Sequence, residues 1–259
     1  MKFSIIVTSY NKGKYLEKCI LSCIAQTYKN FELIIADNYS TDNTRRILNK
    51  YRGKINFFFK KRNSYVPAKN QIDLIKHAVK ISSGQMICLL DADDFFLQKK
   101  LLELRKFSNS NDLIFDIPFV KSQKNIVNKF IQKKKFKKNI WGTVLPTSSI
   151  SINRKLLNKF ISLKFFDKYE LLEIDFRINV LAKLFKKKIK TLDPGYNYYC
   201  QTPQSIMSNY SKIKPLWWEK RIMAHNYFKK ISRFANQKYS RPFDFYVSVI
   251  ISKILKVIK

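Results

Sequence analysis

Asp91-Ala92-Asp93-Asp94 packs three carboxylates into four residues of a chain with only 18 acidic residues against 51 lysines and arginines. Carboxylates that close repel one another, and holding them together costs free energy unless a cation offsets it. A hard divalent ion with oxygen ligands, bridging to substrate phosphates, is the economical partner. Two other polar clusters could grip a ligand: Thr8-Ser9-Tyr10-Asn11 and Asp37-Asn38-Tyr39-Ser40-Thr41-Asp42-Asn43-Thr44. Part of the second is capping chemistry, with Asp42 or Thr41 as the N-cap of a following helix. The segment Tyr169–Arg177 adds Glu170, Glu173 and Asp175. His77 and His225 are the only histidines, too few for a zinc site or a His-dependent triad. Cys19, Cys23, Cys88 and Cys200 are spread irregularly and read as buried reduced thiols.

Something must bring these clusters together. Phe3–Val7, Phe31–Ala36, Ile55–Phe59 and Gln85–Leu90 are short apolar runs that read as strands. Lys14–Ala25, Asp42–Lys50 and Ala68–Ile81 alternate with them at helical spacing. Continuous apolar strands between helices predict a parallel sheet covered on both faces. Ligands of such sheets sit beyond the carboxyl ends of the strands. The three polar clusters follow Val7, Ala36 and Leu90, which are those ends.

The 259 residues are 46% hydrophobic, enough for a real core without a metal or disulfide staple. The net charge of +33 fits a composition bias, an anionic membrane surface or an anionic substrate such as a nucleotide-sugar. Nucleic acid is not expected. The apolar run after Met1 breaks at Thr8, too short for a signal peptide, and no window reaches the roughly 18 apolar residues of a spanning helix. The expected location is cytoplasmic, or peripheral at the inner face of the membrane.

The ordered set Ser4–Asn11, Gln26–Ile35, Asp37–Thr44, Ala68-Lys69-Asn70 and Gly84–Asp94 resembles family 2 glycosyltransferases of the GT-A fold. The resemblance covers about the first 105 residues. It implies a Rossmann-like, mostly parallel sheet flanked by helices, a nucleotide-diphosphate-sugar donor and a divalent metal, Mn²⁺ or Mg²⁺. Thr8 and Tyr10, with Asn11 beside them, match positions that hold the nucleoside. Asp37-Asn38 falls where the family reads the base. Many members have a second Asp where this chain has Asn38, whose amide can both donate and accept. Lys69 stands in for a common Arg as a diphosphate contact, or lies on a solvated helix face. Asp91 matches a nucleotide-side position; Asp93 and Asp94 match the metal-binding part of the Asp-x-Asp region.

The resemblance also implies that about 106–200 builds the acceptor side. Asp112–Pro118 reads as a strand and Lys133–Lys138 as a solvated basic loop. Trp141–Asn153 resembles the segment below the donor sugar, making Trp141, Thr147, Ser148 and Ser149 acceptor-side candidates; Trp141 could equally be a core aromatic. Setting Phe176–Ala182 against the family's helix puts Glu173 at the general-base position, with Leu172 where the family has Glu. Glu170 and Asp175 compete for the role, and Asp175 could instead serve the helix dipole. Tyr196–Cys200 and Gln204-Ser205-Ile206 resemble the domain's tail, with Cys200 and Thr202 near positions that often carry Arg and His. Beyond about residue 208 the resemblance fades.

The organisation expected is a nucleotide-sugar-binding half at 1–105, an acceptor-binding half of the same catalytic domain at 106–208, and basic, aromatic C-terminal helices at 209–259. In the last helix Phe243, Val247, Ile250, Ile251, Ile254 and Ile258 share a face that either packs on the domain or docks on a membrane. The expected activity is metal-dependent, inverting transfer of a sugar to a surface-glycan or lipid-linked glycan acceptor. Two rivals are a sugar nucleotidyltransferase on a related fold and a basic binding protein that has lost catalysis. The first would want a glycine-rich loop after the first strand, where only Gly13 stands.

Overall fold

Phe3, Ile5 and Val7 alternate with Ser4, Ile6 and Thr8 along the first strand, and all six are buried. A strand buried on both sides must be an interior strand of a sheet covered by two helical layers. The computed structural model describes residues 1–121, 126–127, 144–185, 188–202 and 211–257. Its first half is β1 (Phe3–Ser9), α1 (Gly13–Ile24), β2 (Phe31–Asp37), α2 (Thr44–Lys50), β3 (Asn56–Phe59), α3 (Pro67–Ile81) and β4 (Met86–Asp91). Then come β5 (Phe95–Phe96), α4 (Lys100–Ser108), β6 (Leu113–Asp116), β7 (Phe119–Lys121), β8 (Ile126–Val127), β9 (Ile150–Asn153), α5 (Arg154–Ile161) and α6 (Ile174–Phe185). The remainder is β10 (Ile189–Leu192), β11 (Asn197–Cys200), α7 (Pro215–Phe234) and α8 (Phe243–Val257).

Seven strands form the main sheet in the order β10-β6-β9-β4-β1-β2-β3. β1 to β4 run parallel, as the sequence pattern predicts, while β9 runs antiparallel to both β4 and β6. That reversal is not visible in the apolar pattern, because a strand buried on both faces reads the same in either direction. A second sheet, β5-β11-β7-β8, sits beside the end of β4.

Successive side chains divide between two cores. Ile6, Ile34, Ile87 and Leu89 join α3, α5, α6 and α7 on one face of the main sheet. Phe3, Ile5, Val7, Ile35, Cys88 and Leu90 join α1, α2 and α4 on the other. α7 contributes Ala224, Tyr227, Phe228 and Ile231 to the first core. Pro at the first turn starts both α3 and α7, where the missing N–H costs nothing.

The register sets the site. Thr8 lies beside Ala36 on one side and Asp91 on the other, and Ser9 lies beside Asp37. The polar clusters therefore end level along one edge. Gly84 starts the approach to β4 because a Cβ there would sit 2.5 Å from the backbone of Phe3 and Ser4.

Candidate active site

Asp91 closes β4 against its parallel neighbour. Its Oδ1 accepts from Gln71 Nε2 at 2.8 Å and from Thr8 Oγ1 at 3.2 Å, and its N–H donates to Ser148 Oγ at 3.0 Å. Burial first, then the charge of Asp93, pushes the Asp91 carboxyl up to about 7. Asp94 is buried. Its Oδ2 accepts from Ser148 Oγ at 2.5 Å and its Oδ1 from the Cys200 N–H at 2.7 Å. Burial, then Asp93 and Asp91, raises it well above the usual carboxylate range. Asp93 differs in its partners. Its Oδ2 is 2.6 Å from Lys12 Nζ and accepts from Thr202 Oγ1 at 2.9 Å.

These donors are all oxygen, which suits a hard cation. Among the described residues no group of three His, Cys, Asp or Glu side chains could enclose an ion. The residues thus fit a cation held by one or two carboxylates and completed by substrate phosphates, not a cage built by protein alone. Both oxygens of Asp94 already accept hydrogen bonds, so Asp93 has the freer reach. A cavity of about 180 Å³ opens beside both acids, lined by Lys14, Lys18, Asp93, Asp94, Lys121 and Thr202. Burial, then the neighbouring charge of Lys121, lowers the Lys18 pKa.

The loops after β1 and β2 are tied to each other. Asn11, in the left-handed region at φ 50°, accepts on Oδ1 from the Thr41 N–H at 2.9 Å, and its own N–H donates to Ser40 Oγ at 2.8 Å. Asp37 is buried and accepts from the Ser40 N–H and hydroxyl, both at 2.7 Å. Burial outweighs those bonds and raises its pKa. Asn38 Nδ2 donates to the Lys60 carbonyl at 3.0 Å, which pins the end of β3. Tyr39 also has positive φ, 62°, and is exposed between Arg45 and Lys61. Tyr10 is exposed as well, with the Arg62 guanidinium 4.7 Å from its ring centre. Two exposed aromatic faces carrying cations suit a flat ring attached to an anion.

Gly13 has a packing reason rather than a phosphate one. A Cβ there would lie 1.7 Å from Asn43 Oδ1, and its N–H donates to Asp42 Oδ2 at 2.9 Å. The start of α1 is thus taken by the chain's own carboxylate, so no phosphate-gripping loop forms after β1. Asp42 also accepts from the Thr44 N–H at 3.0 Å, which is why α2 begins at Thr44 and not at Asp42.

On the acceptor side the sequence candidates separate. Thr147, Ser148 and Ser149 form a buried 3-10 turn, and Ser148 braces Asp94 and Asp91. Trp141, the Lys133–Lys138 run and Gln204–Ile206 lie outside the described residues. Lys69 Nζ pairs with Glu170 at 2.8 Å. Glu173 precedes α6 and is paired with Lys220 of α7. Asp175, in the first turn of α6, is pushed up to about 7 by burial and then by Glu173, and it also feels Asp91. The Asp91 charge thus opposes ionisation of Asp175.

Gln71, Lys12, Arg62 and Lys220 carry no signal in the sequence that marks them as site residues. Gln71 sits one residue beyond Ala68-Lys69-Asn70, and a helix turn gives no sign that it will meet Asp91 across the sheet. Lys12 follows Asn11 directly, but nothing marks one lysine among so many.

An α/β protein that gathers its carboxylates at the carboxyl edge of a parallel sheet is defined by these features. Residues 4–166 match the model for glycosyl transferase family 2, and the chain belongs to that family. It is 25% identical over 221 residues to an uncharacterized glycosyltransferase of Nostoc sp., covering 77% of this chain and 64% of that one. The chain thus spans under two thirds of that relative's length. It is 28% identical over 197 residues to an Escherichia coli UDP-Glc:alpha-D-GlcNAc-diphosphoundecaprenol beta-1,3-glucosyltransferase, covering 74% of this chain and 75% of the relative. The fold is similar to that of S. aureus TarS 1-349 in complex with UDP-GlcNAc, with TM-score 0.65, 19% identity, and 99% and 72% of the two chains covered. A Pyrobaculum calidifontis mannosyltransferase in complex with GDP-Man and Mn²⁺ aligns with TM-score 0.59 at 13% identity, covering 98% and 69%. The GT-A fold expected from the sequence is borne out.

Proposed function

We propose that the chain moves a sugar from a nucleotide-diphosphate-sugar to a hydroxyl of a lipid-linked or surface-glycan acceptor, with inversion. The observation that carries this reading is the gathering of Asp91, Asp93 and Asp94 at the carboxyl end of β4, beside Thr8, Lys12 and a lysine-lined cavity. The E. coli relative's diphosphoundecaprenol-linked acceptor supports the lipid-linked class. Such an acceptor is consistent with a peripheral place at the inner face of a membrane.

In this reading Thr8, Tyr10, Asn11, Asp37 and Asn38 shape the nucleoside side, with Arg62 on Tyr10. Asp91 is the nucleotide-side carboxylate at the end of β4. Asp93, with Asp94 behind it, would hold Mn²⁺ or Mg²⁺. When bound, the ion would offset the charge of the departing nucleoside diphosphate. Lys14, Lys18 and Lys121 add positive charge beside Asp93. Lys69 could reach the diphosphate only by leaving Glu170. Glu173 accepts the proton of the attacking hydroxyl, and Lys220 orients it. Ser148 acts from behind, by bracing the acids, on the buried turn that Thr147 begins. The nucleotidyltransferase alternative loses ground because Asp42 already caps α1.

Calorimetry with UDP-, GDP-, dTDP- and CMP-sugars, with and without Mn²⁺, tests the proposal. One donor should bind in a metal-dependent way, and Asp93→Asn should abolish that dependence while leaving the circular dichroism spectrum unchanged. Failure of every nucleotide-sugar to bind would overturn the reading.

A further inference from the structure

α8 packs against α7 and buries Phe245, Ser248 and Ser252. It exposes Phe243 at 82%, Ile250 at 58%, Ile254 at 50% and Val257 at 86%, with Tyr246 on the same side. Residues spaced by three, four, four and three fall on one helical stripe. A contiguous apolar stripe held in water is unfavourable unless something covers it.

We propose that this stripe docks on the surface of an anionic lipid bilayer. Arg241, Lys253 and Lys256 are exposed on or beside α8. Lys256 pairs with Glu219 at 2.5 Å, which brings the end of α8 beside the start of α7. Exposed Lys212, Ile213, Lys214 and Leu216 stand there, repeating the mixture of apolar and basic groups. Apolar residues flanked by cations are what an anionic interface attracts, the first by burial in the acyl boundary and the second by surface potential. A second copy of the chain is a poorer occupant, because two surfaces of net charge +33 repel. The helix lies on the bilayer and does not cross it. Its 15 residues span roughly 22 Å, against a hydrocarbon core of about 30 Å. No helix among the described residues is long and apolar enough to cross a membrane.

The test needs no turnover, so it stands or falls apart from the catalytic reading. The full chain is sedimented with vesicles of phosphatidylcholine, and of phosphatidylcholine mixed equally with phosphatidylglycerol. Wild type should bind the mixed vesicles and weaken as salt rises. The variant carrying Ile250→Glu and Ile254→Glu should lose at least about tenfold in partition, since it removes apolar contact and adds repulsion. A control carrying Leu21→Glu and Leu102→Glu changes net charge equally at two exposed sites away from α8, and should bind nearly as wild type. Equal losses in both variants would show charge alone at work and overturn the proposal. So would no binding by wild type. A wild-type dimer in ultracentrifugation that the α8 variant alone dissolves, with vesicle binding unchanged, would assign the face to a second copy instead.

Discussion

Glu173→Gln keeps size and polarity but removes a proton acceptor. If Glu173 is the base, turnover should fall by roughly 10²–10⁴-fold while donor affinity stays near wild type. Asp175→Asn is the informative control, because its carboxyl is pushed up to about 7 by burial and by Glu173. A raised carboxyl favours the folded state fully below the unfolded value, near 4, and that contribution is lost as pH rises through about 7. Asp175→Asn should therefore exceed wild type in stability above about pH 8, with the gain vanishing at acid pH. Urea melts across pH read the stability, and steady-state rates read the turnover. A dead Asp175→Asn beside an active Glu173→Gln would move the base by two residues. Asn38 gives a second contrast. The sequence shows only an amide beside Asp37; the structure shows its N–H₂ donating to the Lys60 carbonyl at 3.0 Å. Asn38→Asp would set a carboxylate against that carbonyl and should cost about 1–3 kcal/mol in denaturant unfolding. Unchanged stability with sharpened preference for UDP would mean that the side chain turns to the base instead.

At the scale of elements, Arg177 shows what sequence reading could not reach. It stands in α6 as one basic residue among fifty-one, yet it is fully buried. Its guanidinium donates to the carbonyls of Leu172 at 2.9 Å and Tyr169 at 2.5 Å, and also to that of Phe166. One side chain thus gathers the segment that delivers Glu173. Arg177→Leu would strand those acceptors, and a loss of about 3 kcal/mol is expected, larger than for Lys69→Leu at its half-exposed ion pair. Thermal melts compare the two; equal effects would deny Arg177 this role. The strands β1 to β4 and helices α1 to α3 were legible because apolar period and polar strand ends are local signals. The direction of β9 was not, since it depends on which neighbours the strand meets. Nor was the burial of Ser148, whose hydroxyl serves two acids 54 and 57 residues away in sequence. The three-acid cluster was legible because its cost is visible in an acid-poor chain.

The whole molecule carries its excess charge wherever its cations go. Eighteen acids can neutralise at most eighteen of the fifty-one lysines and arginines, and the net charge stays at +33. Several acids are committed inside the fold: Asp91 and Asp94 to the site, and Asp116 to the buried Lys100. The outer surface is therefore more lopsided than the composition suggests. Like charges across a folded surface destabilise the compact state, and unfolding relieves them by separating the charges. Salt screens this repulsion over a Debye length of about 8 Å at physiological strength. Salt also weakens the exposed ion pairs, such as Lys50–Glu17 and Lys106–Glu103, but solvent already screens such pairs, so little is lost. Repulsion should win. The melting temperature is thus expected to rise as sodium chloride is added, and to rise further with sulfate at equal ionic strength, because a divalent anion can associate with neighbouring lysines. Differential scanning fluorimetry across a salt series reads this directly. A melting temperature that falls with salt would mean that attractive pairs dominate the surface, and that the excess cations are spaced widely enough not to matter to stability.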